Sequence, residues 1–130
     1  MSSFTDALTL TYLPKANMWV TDRQFTYFVG IENSKENIDV PKGFKTDLAS
    51  VPWPAVMFIP KSGKGNQAFV LHDFLYFKRG KINNREYSRS KCDRIFLEAM
   101  HVLDVNWFKR KIIYRAVRLG GWVPWKKKRS

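Results

Sequence analysis

Asn66-Gln67-Ala68-Phe69-Val70-Leu71-His72-Asp73-Phe74-Leu75-Tyr76-Phe77 is the stretch on which the fold turns. Asn66 is suited to cap a helix that runs to about Phe77. Phe69, Val70, Leu71, Phe74 and Leu75 give that helix an apolar face. His72 and Asp73 interrupt it, and a charge buried in such a setting needs a partner or a metal. The bland alternative is a helix edge that happens to be polar.

Working forward, Gly80 and Asn83-Asn84 break the helical pattern. A second helix begins near Asn84 to Ser88. Its residues Cys92, Ile95, Phe96, Ala99 and Leu103 recur at the spacing of one helical face. A third helix spans about Asn106 to Leu119 and stops at Gly120-Gly121. Trp122-Val123-Pro124-Trp125 reads as extended, and a basic tail of Lys126, Lys127, Lys128 and Arg129 follows.

Working backward, residues 41–65 hold four of the six prolines and three of the seven glycines, too much punctuation for a long regular element. This reads as an ordered loop, and such loops often carry function. The first forty residues read as β. Leu8 to Leu13 alternates apolar and polar, Pro14 to Asn17 turns, and Met18 to Val29 is aromatic and β-branched. Ile38 to Val40 is a further short strand ending at Pro41. The expected class is α+β. A short antiparallel β arm (1–40) and a loop (41–65) precede a three-helix body (66–120) in a single domain (1–125), with a basic tail at 126–130.

Composition narrows the function classes. Hydrophobic residues make up 45% of the 130, enough for a packed core, and no apolar run is long enough to span a membrane. Met1 to Asp6 has no basic start followed by an apolar stretch, so no secretory signal is expected. Cys92 is the one cysteine, which rules out an intrachain disulfide and points to folding in a reducing cytoplasm. The net charge of +12 favours anionic partners: lipid headgroups, nucleic acid or an acidic protein face. One Cys and two His support zinc poorly.

Asp93 lies on the second helix, beside Cys92. If the first two helices pack antiparallel across residues 80–84, Asp93 faces His72. A carboxylate on one imidazole nitrogen fixes the tautomer and leaves the other nitrogen free to take a proton from water. Asp73 lies about 100° round the helix and would have a separate task, such as holding a hard cation. Asp47, within Gly43 to Pro52, could add a carboxylate; it could equally bond the local backbone in a turn.

Thr46-Asp47-Leu48, then His72-Asp73-Phe74 with Tyr76, then Arg89-Ser90-Lys91-Cys92-Asp93 with Phe96 and Met100, then Tyr114-Arg115-Ala116-Val117 resemble bacterial and fungal secreted phospholipases A2. Gly43 to Pro52 followed by Leu71-His72-Asp73-Phe74-Leu75-Tyr76 resembles, more closely, a family of short, uncharacterised phage and bacterial proteins. The phospholipase resemblance implies a Ca²⁺-dependent ester hydrolase. His72 would be the general base and Asp93 its orienter. Asp47, the Leu48 carbonyl and Asp73 would hold Ca²⁺, with Tyr76 and Tyr114 in support. The chain departs from those enzymes in having a single cysteine, so no intrachain disulfide, and in that no secretory leader is expected. The competing expectation is a phage tail or neck protein on the same scaffold with a relict site, in the host cytoplasm or on the particle.

Trp122 and Trp125 with Lys126, Lys127, Lys128 and Arg129 suit a lipid–water interface. They equally suit a neighbouring virion protein or a second copy of the chain. Trp packing back onto its own core is the plainest account.

Overall fold

The computed structural model describes residues 3–5, 8–16, 18–30, 34–46 and 66–126. The architecture is α+β, with short antiparallel strands first and helices after. Two compact units divide the chain, Met1–Asp47 and Leu48–Ser130.

The first unit carries two three-stranded antiparallel sheets. One has β1 (Ser3–Phe4), β4 (Phe25–Phe28) and β5 (Asn37–Val40), with β4 in the centre. Phe25 faces Val40 and Tyr27 faces Ile38 across the β4–β5 ladder, and all four are buried. The Phe4 ring meets Tyr27 at 4.7 Å. On the alternate face the Thr26 hydroxyl donates to Asp39 Oδ1 at 2.5 Å. This is the period-two division of a half-buried sheet.

The other sheet has β2 (Leu10–Leu13), β3 (Met18–Thr21) and β6 (Lys45–Thr46), with β3 central. Residues 18–29, read as one β segment from sequence, are thus split at 22–24 into strands of different sheets. The pivot is buried Thr21. Its hydroxyl donates to the Pro41 carbonyl at 2.7 Å and accepts the Phe44 N–H at 2.9 Å. Gly43, at φ +84°, makes the turn between those two partners. Residues 41–44 are loop and turn, as expected, Lys45–Thr46 form β6, and the remainder of the expected loop, 47–65, lies outside the described residues.

The second unit holds α1 (Asn66–Phe77), a hairpin of β7 (Lys81–Ile82) and β8 (Arg85–Glu86), α2 (Arg89–Val102), α3 (Trp107–Gly120) and α4 (Trp122–Lys126). All residues of α1 from Gln67 to Tyr76 are buried, which marks a central helix rather than an amphipathic surface one. Helix α2 packs on α1, and α3 packs on α2. Ser88 caps α2 by accepting the Lys91 N–H at 3.1 Å, and Asn106 caps α3 by accepting the Phe108 N–H at 2.9 Å.

Two sequence expectations change here. The second helix begins at Arg89, because residues 81–86 form the hairpin. Gly80 permits it: at φ +76°, its N–H donates to the Leu75 carbonyl and its carbonyl accepts the Tyr87 N–H. A Cβ there would collide with the Tyr87 carbonyl. Secondly, Trp122 to Trp125 is helical, not extended, so the body has four helices among the described residues. Gly121 keeps a right-handed φ of −68°, so the chain bends without leaving helical space. Pro124 falls in the first turn of α4, where no intrahelical N–H is needed. The Arg79 guanidinium donates to the Lys126 carbonyl at 2.7 Å and caps the end.

Candidate functional site

Helical spacing sets the first half of the site. His72 and Tyr76 are four residues apart on α1 and so share a face. Both reach the same oxygen of Asp93 on α2. His72 Nε2 lies 2.9 Å from Asp93 Oδ1, and the Tyr76 hydroxyl donates to Oδ1 at 2.6 Å. All three side chains are buried. The His72 ring lies 4.2 Å from the Tyr76 ring and 4.3 Å from the Phe96 ring, centroid to centroid. Nε2 is the nitrogen turned to the carboxylate, so in a neutral imidazole the proton would sit there and Nδ1 would be the acceptor.

Arginine supplies the second half. Arg118, on α3, donates from Nη1 to Asp93 Oδ2 at 2.6 Å. Arg89, one turn before Asp93 on α2, brings Nη1 to 3.5 Å from the same oxygen. Arg89 also donates to the Val117 carbonyl at 3.0 Å and the Arg118 carbonyl at 3.1 Å, near the C-terminal end of α3. A cation is favourable there because the last carbonyls of a helix are unpaired and partly negative. Three helices therefore meet at one carboxylate.

Gly121 closes the cluster from above. A Cβ at this position would lie 2.6 Å from the Tyr76 hydroxyl oxygen and 3.0 Å from Arg89 Nη1, and would press into the Val117 carbonyl. Beside it, the Trp125 ring meets the Tyr76 ring edge-on at 5.1 Å.

Burial by itself raises the Asp93 carboxyl. The hydrogen bond and charge of His72, with the Tyr76 and Arg118 hydrogen bonds, outweigh it and hold Asp93 below the ordinary carboxylate value. Tyr76 is pushed far up, first by burial and then by its bond to Asp93, so it stays a protonated donor. Cys92 is pushed up to about 12, by burial first and by the neighbouring Asp93 charge second. It is a neutral, inert thiol.

The structure thus brings together His72, Asp93 and Tyr76. Asp73 is buried on the same helix. Tyr114 does not join them: its side chain is half-buried on α3 and its hydroxyl bonds to neither His72 nor Asp93, the α3 partner being Arg118 instead. Trp125 turns inward onto Tyr76, whereas Trp122 and Lys126 are exposed. Asp47, Leu48, Lys127, Lys128 and Arg129 lie outside the described residues. Arg89, Arg118 and Gly121 escaped the sequence reading. Arg89 was within reach of it, since Arg and Asp at i and i+4 are helix neighbours; Arg118, 25 residues from Asp93, left no local signal.

A Ca²⁺ ion needs six to eight oxygens. Asp73 has the right donor chemistry but supplies one carboxylate, and among the described residues no three His, Cys, Asp or Glu converge. A full shell would need further oxygens. Among the described residues, too, no helix is long and apolar enough to cross a membrane.

No curated protein and no solved structure matches the chain. A family described as proteins of unknown function, DUF1353, matches residues 19–117, a span that runs from β3 to the last turn of α3 and includes His72, Tyr76, Arg89 and Asp93. This 130-residue chain belongs to the DUF1353 family.

Proposed function

We propose that the chain is a phospholipase-A2-like ester hydrolase of the type found in phage. The observation that carries this reading is the His72 Nε2–Asp93 Oδ1 contact of 2.9 Å inside an apolar helix pair. A carboxylate so placed holds the imidazole in one tautomer and stabilises the imidazolium that forms when Nδ1 takes a proton. Nδ1 would take that proton from a water as the water oxygen attacks the ester carbonyl carbon. The carbonyl re-forms as the C–O bond to the leaving alcohol breaks, and the imidazolium returns the proton to the alkoxide. The products are a fatty acid and a lysophospholipid. Tyr76 and Arg118 keep Asp93 ionised and still throughout. A Ca²⁺ ion held by Asp73, Asp47 and the Leu48 carbonyl would polarise the ester carbonyl and stabilise negative charge on its oxygen.

The test is fatty-acid release from phospholipid vesicles by the folded protein with Ca²⁺, with His72→Ala as control and Ca²⁺ titration of Asp73→Asn alongside. Release that disappears in His72→Ala supports the reading; no release from any phospholipid by folded protein defeats it.

A second reading has one observation in its favour: His72 and Asp93 are fully buried, and two arginines claim the other Asp93 oxygen. The same network then serves to lock three helices together in a phage tail or neck protein, with the site a relict. Under that reading His72→Ala loses stability, the wild type releases no fatty acid, and the chain co-purifies with particles.

A further inference from the structure

Helix α3 turns Ile113 and Val117 to the interior. Its opposite side mixes exposed apolar side chains with basic ones. Phe108 is 61% exposed and Leu119 80% exposed, and the following α4 leaves Trp122 and Val123 each 52% exposed. Phe108, Arg115 and Leu119 fall at i, i+7 and i+11, so they run along one side of α3 and end next to Trp122 and Val123 in sequence. Cations flank them. Lys111 and Arg115 are exposed on the same side, the Lys111 ammonium lies 5.6 Å from the Trp107 ring centre, and Lys126 lies 5.6 Å from that of Trp122. The last acidic residue is Asp104; residues 105–130 contain nine Lys and Arg and no Asp or Glu.

From this arrangement we infer that the outer face of α3 and α4 is a docking surface for an anionic phospholipid membrane. Exposed aliphatic and indole side chains among basic ones are what an interfacial helix presents, the apolar groups entering the acyl boundary while Lys and Arg meet headgroup charge. Leu119 and Val123 favour lipid over nucleic acid, where aromatic stacking and phosphate contacts supply the affinity and aliphatic groups add little. The surface consists of Phe108, Leu119, Trp122 and Val123 with Lys111 and Arg115. Trp125 is excluded, since it packs against Tyr76. The choice of lipid deepens the hydrolase reading, but docking itself needs no turnover.

The test is co-sedimentation of the full chain with vesicles of ether-linked phosphatidylcholine, with and without ether-linked phosphatidylglycerol, together with tryptophan emission. Ether lipids have no ester to cleave, so binding is read whether or not the chain is a hydrolase; fatty-acid release from ester lipids is scored separately. The expected result is sedimentation with the anionic vesicles, a blue shift, and binding weakened about tenfold or more in Leu119→Ser/Trp122→Ser and in Lys111→Gln/Arg115→Gln. These side chains are exposed, and unchanged circular dichroism verifies that the variants fold. Three outcomes overturn the inference: wild-type protein staying in the supernatant with anionic vesicles, both double variants binding as tightly as wild type, or the same residues binding duplex DNA or an acidic protein while vesicles are ignored.

Discussion

Arg118 and His72 grip opposite oxygens of one carboxylate: Arg118 Nη1 is 2.6 Å from Asp93 Oδ2, and His72 Nε2 is 2.9 Å from Oδ1. The pair ties α3 to α1 through α2. It also makes Arg118 part of whatever His72 does, because the guanidinium decides how firmly Asp93 stays ionised and in place.

Arg118→Ala removes a charge-assisted hydrogen bond from a fully buried acceptor, although the arginine itself is one-third exposed. A loss of about 1–2 kcal/mol is expected in urea unfolding, the lower range reflecting that solvent access. Arg118→Lys restores charge but not the fixed planar geometry and is expected to recover only part of it.

Gly121→Ala has a diagnostic sign. At an ordinary right-handed position, alanine for glycine stabilises. Here the added methyl presses into the Val117 carbonyl and also meets the Tyr76 hydroxyl and Arg89, so a loss of about 1–3 kcal/mol is expected. In a Tyr76→Phe background, where the hydroxyl is gone, the cost of Gly121→Ala shrinks; equal costs in both backgrounds would place the strain elsewhere.

Acid stability follows from Asp93. Its carboxyl is depressed in the folded state, so its contribution is present above the unfolded carboxyl value of about 3.9 and is lost as pH falls through the lower folded value. Thermal melts from neutral pH down to about pH 2 are expected to show a decline in wild type that is shallower in Asp93→Asn, which starts less stable.

Cys92 is expected to resist thiol reagents in the native protein and to react on unfolding, since its thiol is buried and pushed up to about 12. The folded value is raised, so this contribution is intact below the unfolded thiol value and lost as pH rises toward the folded one, a window from 9.0 to about 12. Alkaline melts of Cys92→Ala against wild type measure it: the variant is expected to show a shallower decline across that window.

By itself, the sequence determined the elements whose signals are local. Twelve residues from Asn66 to Phe77 could be read as a helix from their apolar run. Arg89–Val102 and Trp107–Gly120 followed from helical periodicity, the latter with Asn106 at its start, although the start of the former was read only as lying near Asn84 to Ser88. The alternation up to Leu13 in β2 and the aromatic and β-branched content of β3 were legible for the same reason. His72 stood out because a polar pair in an apolar helix demands a partner, and Asp93 was the carboxylate within reach on the next helix. Tertiary structure decided the rest. Whether residues 18–29 make one strand or two depends on Thr21 finding Pro41 and Phe44, some twenty residues away. Whether Trp122–Lys126 is extended or helical depends on Arg79 and Tyr76 meeting its far end. Which side chains surround Asp93 depends on how α3 lies against α2, and that crossing brings Arg118 rather than Tyr114 to the carboxylate. Periodicity reports which face of an element is buried, whereas only packing reports what it is buried against.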